Sequence, residues 1–265
     1  MNNWPDGLIL KFIPPNRGDH MSLLRQGYKK VNLIMQWARH SKLLKTWELE
    51  IKTRMGIPVR YNSPARIILE TIILPNMASQ NQNSEGSRVL FVGCDWYTNH
   101  YKKEYFKKWD YWTIDPDITK KRYGSKNHVI GHLELLAKYF GPEYFDLIIC
   151  NGVVGYGLNQ LGDVEEALDS CYTCLRVGGK LMLGREDEPG FIPFSNDDVK
   201  SLKRFAPYYF SPLATSNYSL KPRHNYNFSF FEKPAAGNQL KHTTEKSVMP
   251  ICTVLALQPI LQYGK

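Results

Sequence analysis

Apolar positions recur with two different periods, and the change of period divides the chain. From Asp19 the spacing is helical: Leu24, Tyr28, Val31, Met35 and Ala38 step by fours and threes, and after Ser41 a second stripe follows with Leu44, Trp47, Ile51 and Met55. Such steps gather side chains on one helix face. Lys29, Lys30, Arg39, Lys42, Lys45 and Lys52 take the opposite faces. Gly56-Ile57-Pro58 stops the second helix, and Ser63-Pro64 opens another over 65–74, with proline in the first turn where its missing N–H costs nothing. Pro75 to Ser87 is polar and turn-rich, which predicts a loop and a boundary.

Beyond that loop, short apolar runs alternate with helical stretches. Arg88–Cys94, Tyr111–Asp115, His128–Gly131, Phe145–Cys150 and Lys180–Leu183 read as strands. Asn99–Lys108, Ile118–Tyr123, His132–Phe140 and Asp163–Arg176 read as the helices between them, the last closed by Gly178-Gly179. Bounded runs of this length are the buried strands of a parallel sheet with helices on both faces. Ser195-Asn196-Asp197-Asp198 caps a helix to about Phe205. Tyr209–Leu213 and Asn225–Glu232 then follow as strands with no helix between them, an antiparallel pair at the sheet edge. The expected architecture is α/β: a Rossmann-like, mostly parallel seven-stranded sheet with an antiparallel terminal strand, in three αβα layers. Three regions result: a helical N-terminal extension (1–84), the sheet domain (85–233) and a C-terminal tail (234–265).

Charge sharpens that division. The 265 residues carry a net charge of +9, but residues 1–84 hold 12 Lys/Arg against 5 Asp/Glu while 85–232 hold 18 against 19. The surplus therefore flanks the sheet. It is either a solvated helix face or a surface that steers an anionic partner. Hydrophobic residues make up 43% and charged residues 22%, an ordinary globular composition. No apolar run reaches the ~18 residues of a membrane span, and the N-terminus lacks a secretory pattern. Five cysteines, few and odd in number, suggest a reducing, cytoplasmic setting. Cys171 and Cys174 form a CxxC without a second pair at zinc spacing, so they read as small residues on one helix face and no metal is expected.

The chemistry gathers on RVLFVGCDWYT, residues 88–98. Gly93 sits where the first strand turns toward its crossover helix, which is where open α/β sheets bind ligands. Asp115 ends the next strand, about 20 residues past the turn, a position suited to a ribose diol. The first βαβ unit is thus a candidate nucleoside site.

Taken together, these landmarks resemble the class I S-adenosylmethionine-dependent methyltransferases over about residues 86–233. RVLFVGC matches the first strand and turn, although Phe91 stands where the family has an acidic residue, and Asp95 and Tyr97 stand where it has glycines. Asp115 matches the acidic end of the second strand. Gly131-His132-Leu133 matches the turn after the third, where His132 replaces a common Asp. Phe145-Asp146-Leu147-Ile148 and Leu175-Arg176-Val177-Gly178-Gly179 match the fourth strand and the turn into the fifth. The resemblance implies S-adenosylmethionine as cofactor, held by Gly93, Cys94, Asp95, Asp115, Pro116, His132, Leu133, Asn151 and Gly152. It places Tyr97, Tyr156 and Asn159 at the acceptor, with Tyr156 or His100 as candidate general base. Each also has a plainer reading. Asp95 is equally a residue favoured at a helix N-terminus, His132 a helix cap, Cys150 core, and His100 packing.

Methyl transfer needs two reactants held in line, and the loop Asn151–Asn159 follows the fourth strand without the Asn/Asp-Pro-Pro-aromatic motif of adenine amino-methylating enzymes. Nor does it carry the cysteine nucleophile of pyrimidine C5 enzymes. The expected activity is methyl transfer to O or N of a small-molecule acceptor. The alternatives are RNA or protein docking through the basic N-terminal helices, or a catalytically inactive binding module.

Overall fold

The structure, a computed structural model, describes residues 42–55, 57–80, 86–188, 190–222 and 224–235. The helix expected from Asp19 and the tail beyond residue 235 lie outside the described residues. At the centre is one mixed sheet: β1 (Arg88–Val92), β2 (Asp110–Asp115), β3 (Asn127–Ile130), β4 (Phe145–Asn151), β5 (Leu175–Glu186), β6 (Ala206–Pro207), β7 (Asn217–Ser219) and β8 (Tyr226–Glu232). Its order is β3-β2-β1-β4-β5-β8-β6, with β7 beside β8 off that path. The first five strands pair in parallel and β8 runs antiparallel to β5. The chain enters at β1, winds outward to β3, then returns to build the other half from β4. That reversal opens a crevice at the carboxyl ends of β1 and β4.

Side chains alternate across the strands and so feed two cores. Leu90, Val92, Ile148, Cys150, Leu181 and Leu183 face one way, onto α6 (Leu161–Cys174) through Val164, Ala167, Leu168 and Cys171. Val89, Phe91, Leu147, Ile149 and Met182 face the other way. They pack on Phe228 and Phe230 and on an N-terminal helical run that contributes Leu69, Ile73, Leu74 and Met77. Phe91 therefore belongs to a core, fully buried with its ring edge-on to Tyr101 at 5.3 Å. An acidic residue there would be stranded among hydrocarbon.

That N-terminal run continues past its expected end. It comprises α2 (Pro64–Ile68), a π turn (Leu69–Ile73) and α3 (Leu74–Ser79), so Pro75 lies inside a helix rather than opening a loop. The Leu74 N–H reaches back to the Leu69 carbonyl, five residues earlier. The wider turn relieves the clash a proline ring makes with the carbonyl four residues before it. Before it comes α1 (Lys42–Met55), whose Trp47, Ile51 and Met55 are exposed. Contacts tie α1 to the segments after β1 and β2: Asn99 Nδ2 donates to the Thr53 carbonyl at 3.2 Å, and Arg122 pairs with Glu50 at 3.5 Å.

Several expected elements are shorter or different. The helix after β1 is only α4 (Tyr101–Glu104), and that after β3 is a 3-10 turn leading into α5 (Leu136–Tyr139). Gly178-Gly179 lies within β5, at a register shift against β4, instead of closing α6. A Cβ at Gly179 would stand 2.9 Å from the Arg176 carbonyl, so the bulge requires glycine. The helix expected to run from Ser195 to Phe205 is two 3-10 turns, Asn196–Asp198 and Ser201–Arg204. The strand expected at Tyr209–Leu213 is also corrected: a 3-10 turn, Ser211–Leu213, lies there, and β8 pairs with β6 and β7 instead. Cys171 and Cys174 are buried free thiols, and no metal-binding cluster occurs among the described residues. No helix among them is long and apolar enough to cross a membrane.

Candidate functional site

The carboxyl ends of β1, β2 and β4 converge on a cavity of about 450 Å³. Gly93 leaves β1 with φ +78°, and its N–H donates to the Ile114 carbonyl at 2.9 Å. A side chain in this left-handed conformation costs about 1–2 kcal/mol, whereas a Cβ would meet only Val153 Cγ2, at 3.4 Å. Gly93→Ala should therefore lower stability by about that amount through the backbone. Urea unfolding midpoints check this, and an unchanged midpoint would mean the turn is unstrained.

Asp115 is 9% exposed and joins the two strand ends. Its Oδ2 accepts the Cys94 N–H at 2.8 Å and its Oδ1 the Asp117 N–H at 2.9 Å. The glycine bend and the carboxylate thus share one wall, a single hydrogen bond apart. Pro116, His132 and Leu133 line the same space from the β2 and β3 ends, and Asn151 and Gly152 from β4. Cys94 lines it too, its thiol pushed up to about 12 by burial and then by the Asp115 charge, hence neutral. Asp95 lines it with its carboxylate already engaged: Oδ2 pairs with Lys120 at 2.8 Å and Oδ1 accepts the Trp96 N–H. His132 makes no side-chain cap bond, although it precedes a 3-10 turn, and its side chain is largely exposed.

A second cavity of about 490 Å³ adjoins the first, and Arg66, Tyr97, Asn151, Gly152 and Tyr156 line both. Tyr226 donates to Asn151 Oδ1 at 3.1 Å, fixing that amide on the partition between the chambers. A Cβ at Gly184 would stand 2.2 Å from the same oxygen, so glycine on β5 makes room for it. Glu186, at the carboxyl end of β5, completes the second chamber with Tyr61, Trp96 and Tyr226. Burial, then the neighbouring Glu188, raises the Glu186 pKa, against a smaller opposing effect of His224.

Arg66, Glu186, Tyr61, Tyr226 and Lys120 are among the lining residues that pattern reading missed. Glu186 had a usable signal, an acidic residue ending a strand. Arg66 had none, since only packing brings its helix over the crevice. Its guanidinium lies over the Tyr97 ring at 4.4 Å and donates to Tyr101 Oη at 2.9 Å. Tyr101 donates to Glu70 at 2.8 Å, and Glu70 accepts from Arg60 at 2.6 Å. This chain of bonds clamps α2 and the π turn to α4.

Two candidates fall elsewhere. Asn159 is exposed and lines neither cavity. His100 is buried behind them at 3% exposure, edge-on to Tyr101, and neither ring nitrogen has a hydrogen-bond partner. Burial lowers its pKa from the ordinary 6.5, more strongly than Glu70 and Glu104 raise it, with Arg60 and Arg66 adding to the lowering. A histidine whose folded pKa is depressed binds its proton mainly when unfolded. Its contribution is complete above 6.5 and is lost as pH falls through that value toward the folded pKa. Unfolding free energy should therefore decline below pH 6.5 more steeply in the wild type than in His100→Phe. Denaturant titrations across that range check this; parallel profiles would rule it out.

No family model matches the chain, and no curated protein matches it in sequence. Solved structures do resemble it. N-methyltransferase NodS from Bradyrhizobium japonicum, in complex with S-adenosyl-L-homocysteine, is 14% identical over 71% of this chain and 97% of its own, with a TM-score of 0.46. The CurJ carbon methyltransferase is 15% identical over 71% of this chain and 58% of its own (TM-score 0.48). The T. thermophilus rRNA methyltransferase RsmC, in complex with AdoMet and guanosine, is 13% identical over 61% of this chain and 39% of its own (TM-score 0.40). These likenesses concern the fold alone.

Proposed function

We propose that this chain, whose fold is that of the class I S-adenosylmethionine-dependent methyltransferases, transfers a methyl group from S-adenosylmethionine to O or N of a small organic acceptor. The observation that carries the reading is the convergence of the Gly93 bend and the Asp115 carboxylate on one cavity at the strand reversal. The residues present suit the cofactor. At Gly93 no side chain blocks the backbone, so a ligand can approach closely. Asp115 keeps lone pairs beyond its two backbone bonds to accept a ribose diol. Leu133 supplies an apolar wall for a base, and Gly152 and Asn151 lead toward the acceptor. The cofactor brings the methyl group on a sulfonium, so the protein's part is to align two reactants and exclude water. The partition shared by the two cavities serves that purpose: Asn151, Tyr97 and Tyr156 face both.

Calorimetry with S-adenosylmethionine and S-adenosylhomocysteine tests this. Micromolar affinity with one site per chain is the expected result. No heat up to about millimolar ligand, which means a binding free energy weaker than ~4 kcal/mol, would overturn the assignment.

A further inference from the structure

We propose that the second cavity selects an amine acceptor, with Glu186 binding its ammonium and taking its proton. The inference rests on the methyltransferase reading and narrows it from O or N to nitrogen. At about 490 Å³ the chamber is sized for a small molecule. Its rings lie in differing planes. Tyr61 and Trp96 meet at 6.3 Å and 81°, and Trp96 and Tyr97 at 5.1 Å and 84°, so the three rings form one angled aromatic wall of the chamber. Aromatic rings attract a cation; Arg66 already lies over Tyr97, which leaves Tyr61 and Trp96 for a ligand. Among the described lining residues Glu186 is the sole carboxylate.

The opposing charge in the chamber, Arg66, is spread over the Tyr97 ring and bonded to Tyr101. A carboxylate acceptor would meet Glu186, and a neutral alcohol would leave the half-buried Glu186 charge with no ion pair among the described residues. An ammonium satisfies both the carboxylate and the rings.

The chemistry balances. The bound R–NH3⁺ gives one proton to the Glu186 carboxylate, leaving R–NH2 with a free electron pair. That pair attacks the cofactor's methyl carbon. The N–C bond forms as the S–C bond breaks, giving R–NH2⁺–CH3 and a neutral thioether, and Glu186 returns its proton to solvent. The raised proton affinity of Glu186 suits a proton acceptor; Glu188, His224, Tyr156 and Tyr226 are the titratable groups that interact with it, and Arg66, Tyr61 and Tyr97 line the same chamber.

The test uses the full chain, wild type and Glu186→Gln, loaded with S-adenosylhomocysteine. Benzyltrimethylammonium, benzyl alcohol and phenylacetate are titrated in turn. The cation should bind the wild type at least tenfold more tightly than the other two, and Glu186→Gln should erase that preference while S-adenosylhomocysteine affinity stays within twofold. Retained S-adenosylhomocysteine binding shows that the variant is folded. In turnover with S-adenosylmethionine, benzylamine should be methylated in preference to benzyl alcohol, with kcat/KM at least a hundredfold lower in Glu186→Gln. If S-adenosylhomocysteine binds but the cation has no advantage, or the variant keeps it, the amine assignment fails and the cofactor reading stands. If S-adenosylhomocysteine itself does not bind, both fall.

Discussion

Asp115→Ala should weaken S-adenosylhomocysteine binding about a hundredfold, because hydrogen bonds to a charged group contribute roughly 1.5–3 kcal/mol and the ribose offers two hydroxyls. The structure adds a cost within the protein. Both carboxylate oxygens accept backbone N–H groups, from Cys94 and Asp117, so the alanine variant leaves the Cys94 amide buried without an acceptor. Stability should fall by about 1–3 kcal/mol. Asp115→Asn retains one acceptor oxygen and should be intermediate in both respects. Calorimetry paired with urea unfolding separates the two effects, since a folded variant with reduced affinity isolates the ligand contribution. A folded Asp115→Ala protein that binds S-adenosylhomocysteine within twofold of wild type would show that the ribose lies elsewhere.

Glu70→Ala should cost about 3 kcal/mol in unfolding free energy, the scale on which a buried charged partner is missed. Glu70 is 5% exposed, yet it holds Arg60 at 2.6 Å and the Tyr101 hydroxyl at 2.8 Å. Its removal leaves the Tyr101 O–H donor without an acceptor, while the Arg66 bond to the same oxygen remains. Because Arg60 remains partly solvated and also reaches Glu104 at 2.5 Å, the loss should stay near the lower end for buried pairs. Cofactor affinity should fall less than in Asp115→Ala, since the Gly93 turn does not depend on this network. Denaturant unfolding measures the first effect and calorimetry the second. A loss below about 1 kcal/mol, the value of a surface pair, would mean that the clamp adds little.

Pattern reading succeeded where local chemistry and tertiary demand coincide. Val89–Val92 and Leu147–Cys150 are apolar throughout because both faces of a parallel strand are covered, and that leaves a mark in sequence. It failed where long-range packing overrode a local signal. Pro75 looked like a stop, but a π turn absorbs it because Leu74 and Met77 are needed in the core. Gly178-Gly179 looked like a helix end, but the pair serves a bulge inside β5. Tyr209–Leu213 looked like a strand from its aromatics, but the edge of β8 is taken by β6 and β7.

The candidate site divides along the same line. The places of Gly93, Asp115 and the Asn151-Gly152 turn on the crevice were legible because they lie at strand ends, and the position of a strand end is a local property. The two chambers were not. Their partition depends on Tyr226 reaching Asn151 across 75 positions of sequence, and their shared wall on Arg66, bonded to Tyr101, which donates to Glu70. The sequence by itself determined an α/β sheet with a crevice at its first glycine turn, since strand periodicity and glycine geometry act over a few residues. Only the tertiary structure decided which charges face that crevice, because the meeting of Arg66 with Tyr97, and of Glu186 with an aromatic wall, is set by how distant segments pack.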